Sequence, residues 1–283
     1  RISVVRKKIY CMKRWYLYPF SLVYHFVTAL RNRMYDWGIF SSTKFKTPMI
    51  GVGNLSVGGS GKSPMVMYLA DYLAKNFRTG VLSRGYGRKT KGYGIVNYDS
   101  NFKMVGDEAM QLFERFKNRF VIGVCEDRVF GAKKIIEDMD LDVLLLDDSY
   151  QHRRIKPGFN ILLTDYNDPY FKDFVLPAGN LRESRRGAKR ADIIVVTKCP
   201  ENITEEKKQF YISRIKPRYY QKVFFSTINY DEEIFCFDPK LKLPDNNMSY
   251  YDILLITGIA NPKTFVEEVK RYSSNVKHLR FKD

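Results

Sequence analysis

Short apolar segments alternate with amphipathic segments over most of the chain, and this alternation predicts a parallel sheet covered by helices. Five runs have strand length and a mainly apolar composition, as is typical of strands buried on both faces; they are residues 80–83, 120–125, 143–147, 160–164 and 192–197. A sixth run, residues 48–53, leads into a glycine-rich loop and then a helix at residues 64–73. We therefore predict an α/β protein with a doubly wound, mostly parallel sheet.

The pattern changes from about residue 215 to an alternating strand and turn, followed by a strand, a turn and a helix. This change predicts a smaller carboxy-terminal α/β domain. Three parts are expected: a basic and apolar amino-terminal helix at residues 1–36, the main core at residues 37–216, and the smaller domain at residues 217–283.

The amino-terminal part contains an uncharged run, WYLYPFSLVYHFVTAL at residues 15–30, with clusters of basic residues on both sides. Sixteen residues would extend about 24 Å as a helix, whereas the hydrocarbon core of a bilayer is about 30 Å thick. The run also includes a proline and a histidine. It is therefore too short to cross a membrane easily.

A narrow polar stripe runs along this otherwise apolar helix; it consists of Ser21, His25, Thr28 and Asn32. A stripe of this kind between basic flanks is typical of a helix lying in the membrane interface. The alternative is a core helix of a soluble domain. We predict a membrane-associated helix.

The sequence GNLSVGGSGKSP at residues 53–64 joins the strand at 48–53 to the helix at 64–73. Its glycines allow backbone N–H groups to surround phosphate oxygens, and the helix directs its positive end to the same place. The predicted nucleotide-binding residues are Gly58, Gly59, Ser60, Gly61, Lys62 and Ser63. Lys62 is expected on the β and γ phosphates of ATP and Ser63 on Mg²⁺. Because Ser56 replaces the first glycine of the usual pattern, an ordinary glycine-rich turn is the alternative.

The apolar run at residues 143–146 ends in two acids, Asp147 and Asp148. Carboxylates at the end of a buried parallel strand can hold Mg²⁺ directly or through water. Two acids after a strand are often only a turn, but together with the phosphate loop they predict a P-loop NTPase-like core with a metal site.

Three further groups of candidate residues follow other predicted strands. Arg84, Arg88 and Lys89 lie in a glycine-rich segment, where they could clamp phosphates or simply solvate a loop. Arg128 could reach phosphate or pair with Asp127 or Glu126. Asp107 could cap a helix or act as general base for a substrate hydroxyl.

The amino-acid composition indicates which kinds of partner the protein binds. The chain has 283 residues with 48 Lys and Arg against 31 Asp and Glu, so nucleic acid, an anionic membrane or phosphorylated small molecules are candidates. The positive charge is dispersed and no nucleic-acid-binding module is recognised, so nucleic acid is not expected. The four cysteines are scattered and suggest neither a zinc site nor a disulfide framework. Nothing in the sequence predicts an oligomeric state.

Eight motifs occur in an order that resembles the tetraacyldisaccharide 4'-kinases of lipid A synthesis: GNLSVGGSGKSP, SRGYGRK, VGDEAMQL, EDR, LLLDDSYQHRR, LPAGNLRES, KRADIIVVTK and TGIANPKTF. The resemblance covers nearly the whole chain. It implies an ATP- and Mg²⁺-dependent kinase at the cytoplasmic face of the bacterial inner membrane, peripheral or monotopic. Its implied substrate is an anionic acylated disaccharide 1-phosphate, phosphorylated on the 4'-hydroxyl to give lipid IVA.

The resemblance also implies roles for individual residues. Asp107 matches the proposed catalytic base, and Arg128 and Arg182 match catalytic residues near the phosphates, as does Lys62. The residues matched to the metal are Ser63, Glu108, Asp147, Asp148 and Gln151. Family members continue past the position of Asp283 to a histidine proposed to partner the base. Either the natural chain is longer than this sequence, which we expect, or Asp107 acts without that histidine.

A P-loop GTPase or metallochaperone is the alternative function. VVTKC at residues 195–199 resembles a guanine-reading strand, but Pro200 stands where the base-pairing aspartate is needed. This replacement argues against specificity for GTP.

Overall fold

A computed structural model describes residues 14–229, 248–258 and 262–281. The chain forms two compact units, Arg1–Thr227 and Ile228–Asp283.

The larger unit is built on one sheet of eight strands: β1 Met49–Asn54, β2 Thr79–Ser83, β3 Gly94–Ile95, β4 Val121–Val124, β5 Val143–Asp147, β6 Phe159–Asp165, β7 Ile193–Cys199 and β8 Lys222–Thr227. The strand order is β3-β4-β2-β5-β1-β6-β7-β8. Every neighbouring pair is parallel except β3 with β4. The predicted mostly parallel α/β fold is confirmed.

One helix, α1 Tyr18–Asp36, precedes the first strand, and the others lie between strands: α2 Lys62–Leu73, α3 Phe102–Val105, α4 Asp107–Phe116, α5 Arg128–Met139 and α6 Glu205–Ile215. Short 3₁₀ helices lie at η1 Trp15–Leu17, η2 Lys117–Arg119, η3 Tyr170–Lys172 and η4 Arg185–Arg190. Within the described residues, no helix combines the length and apolar character needed to span a bilayer.

The smaller unit contains η5 Met248–Tyr250, β9 Ile253–Thr257, α7 Lys263–Tyr272 and β10 Val276–Arg280. Its two strands pair in parallel. His278 accepts or donates a 2.8 Å hydrogen bond with Thr257 across this pair.

Strand β8 belongs to the large sheet, although the sequence analysis placed residues 222–227 in the smaller domain. It pairs in parallel with β7 and forms the edge of the sheet. An edge strand is covered unevenly, so its side chains alternate between exposed and half-buried, which explains the alternating pattern in the sequence. The assignment of functional domains at residues 1–36, 37–216 and 217–283 stays a prediction.

The core lies on both faces of the sheet, and β5 shows how the sequence divides between them. Leu145 packs in a cluster with Val66 of α2 and Leu112 of α4. Leu144 and its neighbour Leu146 pack in the cluster that includes Ile135 of α5. Successive side chains of a strand point to opposite faces, so a continuous apolar run is what a strand covered by helices on both sides requires.

Strand β1 has glycine at two positions because another segment crosses it closely. A Cβ on Gly53 would lie 2.7 Å from Cβ of Tyr150 and 3.0 Å from its backbone nitrogen. Tyr150 is fixed there by its hydroxyl, which donates to the carbonyl of Gly187 at 2.8 Å. The segment that follows β5 can therefore lie directly against β1 only if position 53 has no side chain.

We expect Gly53→Ala to lower the free energy of unfolding by about 1–3 kcal/mol, since the added methyl group meets backbone atoms that cannot move independently. Chemical denaturation followed by circular dichroism measures the change. Gly94→Ala is the matched control, because a Cβ there meets only Cγ2 of Val124 at an ordinary 3.8 Å. Equal effects of the two substitutions would contradict this account.

Candidate active site

The glycine-rich loop lies between β1 and α2, at the carboxyl edge of the sheet. Gly61 has φ of +82°, a conformation that favours glycine, and α2 begins at the next residue. Thr197 at the end of β7 donates its hydroxyl to the carbonyl of Ser60 at 2.8 Å. Lys198 donates its ammonium group to the carbonyl of Gly59 and, at 2.9 Å, to Asp165. The loop is thus held from the side by the end of β7.

A second segment supports the start of the loop. The N–H of Val57 donates to the carbonyl of Asn180 at 2.7 Å, and the N–H of Arg182 donates to the carbonyl of Leu55 at 2.7 Å. These bonds pair LPAGNLRES with the loop residues, which explains why two motifs far apart in sequence occur together. The segment also brings the Arg182 side chain to the phosphate loop.

Lys62 lies among acceptor oxygens rather than in solvent. Its Nζ is 3.4 Å from Oδ1 of Asn54 and 3.7 Å from Oδ1 of Asp148. Both partners come from the carboxyl ends of the neighbouring strands β1 and β5. The ammonium group is therefore placed at the sheet edge where the loop begins.

Ser63 and Glu108 connect the loop to α4. The Ser63 hydroxyl donates to Oε1 of Glu108 at 3.3 Å. Asp107 is the first residue of α4 and Gly106 is the residue before it, so Asp107 does not cap the helix. The side chain of Asp107 is exposed at the end of α4 that carries the contact with the loop.

Asp147 is buried at the end of β5, and its Oδ1 has no hydrogen-bond partner among the described residues. Burial, followed by the charges of Glu108 and Asp148, raises the pKa of Asp147 to about 7. Nearby, buried polar atoms of Asn54 and Ser60 also have no partner in the described part of the chain. A buried carboxylate without a hydrogen-bond partner is suited to binding a cation.

Asp148, the next residue, is in a different electrostatic environment. Arg182 donates from Nη1 to both carboxylate oxygens, at 2.8 and 3.1 Å. Burial opposes ionisation, but Lys62 and Arg182 outweigh it and hold the pKa of Asp148 below its usual value. The φ of +46° at Asp148 ends the strand geometry at this residue.

Gln151 joins a network that reaches away from the loop. Its Nε2 donates to the carbonyl of Asn54 at 2.9 Å and to Glu183 at 3.2 Å, and its Oε1 accepts from Arg182 at 3.2 Å. Glu183 is itself buried and pairs with Arg190 at 2.8 Å. Each polar atom of the Gln151 side chain is therefore already occupied.

Arg128 is buried and holds the backbone. Its guanidinium donates to the carbonyl of Cys125 at 2.5 Å and to the carbonyl of Asp147 at 3.2 Å. Neither expected ion pair forms, since Asp127 caps α5 and pairs with Arg154, while Glu126 pairs with Arg88. Arg128 thus joins the ends of β4 and β5.

The loop that contains Arg88 is anchored rather than freely solvated. The Arg88 guanidinium lies 2.6 Å from Glu126 and donates to the carbonyl of Gly92 at 2.5 Å. Of the three basic candidates in this segment, Arg88 is engaged by protein groups, whereas Arg84 and Lys89 are exposed.

The residues predicted to bind metal divide into two groups. Ser63, Glu108 and Asp147 lie together, and in the described part of the chain neither of these two acids forms an ion pair, whereas Asp148 and Gln151 are engaged by Arg182. No group of three or more His, Cys, Asp or Glu suited to a metal occurs in the described ranges. Mg²⁺ commonly takes one or two carboxylates and completes its shell with water and phosphate oxygens, so the unpartnered Oδ1 of Asp147 fits such a site.

Helix α1 contacts the same network through its polar side. Asn32 donates to Glu183 at 2.8 Å, Arg31 donates to the carbonyl of Gln151 at 3.0 Å, and the Tyr24 hydroxyl donates to the carbonyl of Arg182 at 3.0 Å. Ser21, the one buried residue of the helix, accepts from the N–H of Ala178 at 2.9 Å. The polar stripe therefore faces the protein.

The opposite side of α1 exposes apolar side chains. Phe20, Val23, Phe26 and Val27 are each more than half exposed, at 64%, 65%, 68% and 58%. A helix on the surface of a soluble protein normally has the reverse arrangement. An exposed apolar face of this extent indicates a site of protein or membrane contact.

Several residues of this region were not predicted to belong to the site: Asn32, Asn54, His152, Glu183, Arg190, Thr197 and Lys198. Glu183 lay in a quoted motif, but its partners come from three distant segments. Burial, with Arg128 and Arg84, lowers the pKa of His152 to about 4, so this imidazole is neutral at pH 7. Lys198 lies in the motif KRADIIVVTK and in the segment that resembles a guanine-reading strand, but neither pattern predicts its contact with the phosphate loop.

A phosphate loop with its lysine and serine, facing acids at the end of a neighbouring parallel strand, defines a P-loop phosphotransferase. The family model for tetraacyldisaccharide-1-P 4'-kinase matches residues 13–283. The chain belongs to this family, as its motifs indicated.

Individual relatives agree with the family. The tetraacyldisaccharide 4'-kinase of Flavobacterium johnsoniae is 44% identical over 268 residues, which cover 94% of this chain and 77% of the relative. That of Bacteroides thetaiotaomicron is 40% identical over 283 residues, covering 95% and 73%. A crystal structure of LpxK from Aquifex aeolicus in complex with ATP superposes with a TM-score of 0.74 at 33% identity, covering 95% of this chain and 82% of that one.

Ionisation of Asp147 and ionisation of Asp148 should have opposite effects on the stability of the protein when no metal is bound. The folded-state pKa of Asp147 lies above its ordinary value of 3.8, so its ionisation destabilises the fold as pH rises from about 4 to about 7. Asp147→Asn should be more stable than the parent protein at pH 8, by about 1 kcal/mol or more, and less dependent on pH across this window. Chemical denaturation in EDTA at several pH values measures both.

Asp148→Asn is the matched control for this experiment. Because the pKa of Asp148 is lowered in the folded protein, its charge contributes stability above its ordinary pKa, and that contribution is lost as pH falls. This variant should be destabilised at pH 8. Destabilisation by both substitutions at pH 8 would contradict the assignment of Asp147 as a buried carboxylate whose ionisation the fold disfavours.

Proposed function

We propose that this protein transfers the γ-phosphoryl group of ATP to the 4'-hydroxyl of a tetraacylated disaccharide 1-phosphate, forming lipid IVA in lipid A synthesis. The observation that carries the proposal is the placement of Lys62 and Ser63 against Asp147 and Glu108 at the carboxyl edge of the sheet. Membership of the 4'-kinase family and the likeness to LpxK with ATP support the choice of substrates.

Phosphoryl transfer depends on positioning and on neutralising charge more than on covalent chemistry. Lys62 and Arg182 are the cations nearest to the acids of the site, and we assign to them the binding of phosphate oxygens. When ATP enters, these cations exchange part of their contact with Asp148 for contacts with phosphates. Arg128 acts through the backbone, since it fixes the end of β5 and therefore the position of Asp147.

Ser63, Glu108 and Asp147 would hold Mg²⁺. Asp148, which pairs with Arg182, would not be a direct ligand. Bound there, Mg²⁺ would neutralise charge on the phosphate oxygens. Asp147 would then be ionised, because a cation next to the carboxylate offsets the burial that raises its pKa.

Asp107 is assigned as the base that accepts the proton of the substrate hydroxyl. Its carboxylate is exposed at the start of α4, and the adjacent residue, Glu108, contacts Ser63 of the phosphate loop. A base must reach both the substrate hydroxyl and the phosphate site, and an exposed position beside the phosphate loop meets this requirement. The glycine-rich segment at residues 84–88 lies beside it, since the backbone of Gly106 packs against Gly85 and Tyr86.

The lipid substrate is assigned to a cavity of about 480 Å³ between α1 and η4. Phe26 and Leu30 supply apolar lining, whereas Arg33, Arg186 and Lys189 supply positive charge. This combination suits a ligand with acyl chains and a phosphate group. Asn32, which also lines the cavity, bonds to Glu183 and so connects it to the network around Gln151.

We place the protein at the cytoplasmic face of the bacterial inner membrane as a peripheral or monotopic protein. The exposed apolar side of α1 and the net charge of +17 support contact with an anionic bilayer. Its partners are then ATP, the anionic lipid substrate and the membrane surface. A P-loop GTPase or metallochaperone is the alternative function, which the replacement of aspartate by Pro200 disfavours.

Transfer of labelled γ-phosphate from Mg·ATP to tetraacyldisaccharide 1-phosphate in detergent micelles tests this function. Asp107→Ala should lower turnover about 10²- to 10⁴-fold, because proton transfer to a positioned base contributes on this order, while the affinity for ATP stays within about threefold. Asp99→Ala removes an exposed carboxylate outside the site and should leave both quantities unchanged.

Two results would contradict these assignments. Loss of ATP binding in parallel with turnover would show that Asp107 supports the nucleotide site rather than the proton transfer. Binding of GTP in preference to ATP, without lipid phosphorylation, would instead favour the alternative function.

Membrane contact through α1 predicts that charge on its exposed face reduces binding to vesicles. Phe20→Glu with Val23→Glu should weaken cosedimentation with vesicles at least tenfold, since both side chains would otherwise enter the interface. Tyr68→Glu with Tyr72→Glu is the control, because these tyrosines are similarly exposed, at 67% and 60%, on α2. Equal losses from the two pairs would show that added negative charge alone is responsible.

A further inference from the structure

A second cavity, of about 590 Å³, lies outside the active site and is strongly basic. Its walls are η3, η4, the end of α6 and the turn that leads to β8. Seven of its twelve lining residues are Lys or Arg and none is acidic, whereas the whole chain has 31 Asp and Glu against 48 Lys and Arg. The seven are Lys172, Arg185, Arg186, Lys189, Arg214, Lys216 and Arg218. This cavity is therefore a local concentration of positive charge.

Among the described residues, no carboxylate neutralises the charges in this cavity. In the described part of the chain, none of the seven forms an ion pair with a carboxylate. Arg185 donates to the backbone carbonyl of Asp173 at 2.6 and 3.0 Å. Lys172 and Arg214 each lie 5.6 Å from the centre of the Phe210 ring. Cations gathered in this way repel one another, so an anion in the cavity lowers the electrostatic energy.

The backbone of this basic cavity is fixed independently of any ligand. Gln221 donates to the carbonyls of Ala188 and Ala191, at 2.8 and 2.7 Å, and so joins the start of β8 to η4. Tyr220 donates to the carbonyl of Lys189 at 2.8 Å. The buried side chains of Tyr170 and Ile215 form apolar parts of the wall. The basic side chains thus project from a supported surface.

The basic cavity adjoins the surface that carries the exposed apolar side of α1. Arg186 and Lys189 line both this cavity and the cavity between α1 and η4. Tyr18 of α1 contacts Phe174 edge to face at 6.1 Å, and the guanidinium of Arg185 lies 5.8 Å from the same Phe174 ring. Phe174 is itself 51% exposed. Apolar and basic groups therefore form one continuous surface from α1 to Arg185.

We propose that the basic cavity binds the phosphate headgroup of an anionic phospholipid in the bilayer that α1 contacts. The inference rests on the proposed membrane location and adds a headgroup site to the apolar contact of α1. Charge complementarity decides the class of ligand, and continuity with the apolar surface favours a bilayer lipid over a soluble phosphate. With this site filled, the protein is held at two places and its orientation on the membrane is fixed.

The test uses the full chain with Arg214→Gln, Lys216→Asn and Arg218→Gln combined, which removes three cations from the α6 side of the cavity. Asn is used at position 216 because Lys216 has a left-handed φ of +51°. Binding is measured by cosedimentation with phosphatidylcholine vesicles, with and without about one third phosphatidylglycerol. We expect at least a tenfold loss of affinity for the anionic vesicles and no change for the neutral ones.

The matched control combines Lys75→Gln, Lys117→Asn and Lys133→Gln, which removes the same charge from exposed positions outside both cavities and again uses Asn at a positive φ, +50° at Lys117. It should lose less than about threefold in affinity for the anionic vesicles, as expected for charges remote from the surface. Equal losses from the two triple variants would overturn the proposal, since general attraction would then explain binding. Circular dichroism and thermal unfolding establish that both variants are folded.

Kinase activity in phospholipid-free detergent micelles separates the remaining outcomes. A large rise in KM for tetraacyldisaccharide 1-phosphate in the cavity variant, with vesicle binding equal to the control, would assign the cavity to the substrate phosphate and overturn the proposal. If no variant phosphorylates the lipid but the two still differ on anionic vesicles, the kinase function fails while the headgroup site stands.

Discussion

The parallel pairing of β1 with β5 is the constraint on which the rest of the site depends. Val52 is in register with Asp147, so the strand that leads to the phosphate loop and the strand that ends in two acids finish side by side. As a result, Nζ of Lys62 lies 3.7 Å from Oδ1 of Asp148. The backbone alone brings together opposite charges that are almost 90 residues apart in sequence. Arg128 secures this arrangement by bonding to the ends of both β4 and β5, although β2 separates them.

Asp147 and Asp148 are adjacent in sequence, but the change of backbone conformation between them places their carboxylates in different surroundings. Asp147 keeps the strand direction and enters the buried edge of the sheet, where its carboxylate has no partner. Asp148 adopts a positive φ and meets Lys62 and Arg182 instead. The pKa values of the two therefore move in opposite directions. Asp148 pairs with the cations of the site, whereas burial opposes ionisation of Asp147, and a bound cation would offset that cost.

Much of this arrangement could be predicted from sequence because it depends on short-range pattern. The apolar run before Asp147 and the glycines before Lys62 each determine local structure. Parallel topology then brings the ends of the two strands to the same edge of the sheet. Arg128 was harder, since its acceptors are carbonyls of two strands whose order in the sheet is not visible in the sequence. The network of Gln151, Glu183 and Asn32 joins three separate segments and has no local signature. Strand β8 looked like part of another domain because an edge strand has the alternating pattern of an exposed one.

Helix α1 joins the apolar surface to the residues of the phosphate site through a single layer of contacts. Tyr24 and Arg31 bond to the backbone of Arg182 and Gln151, the same residues that contact Asp148 and Asn54. A helix with its side chains is about 10 Å across, so with α1 in the interface the reacting groups would lie only about that far from the lipid. Enzyme and lipid substrate would then meet by lateral diffusion in one plane. Turnover would be governed by their densities on that surface and not by their concentrations in bulk solution.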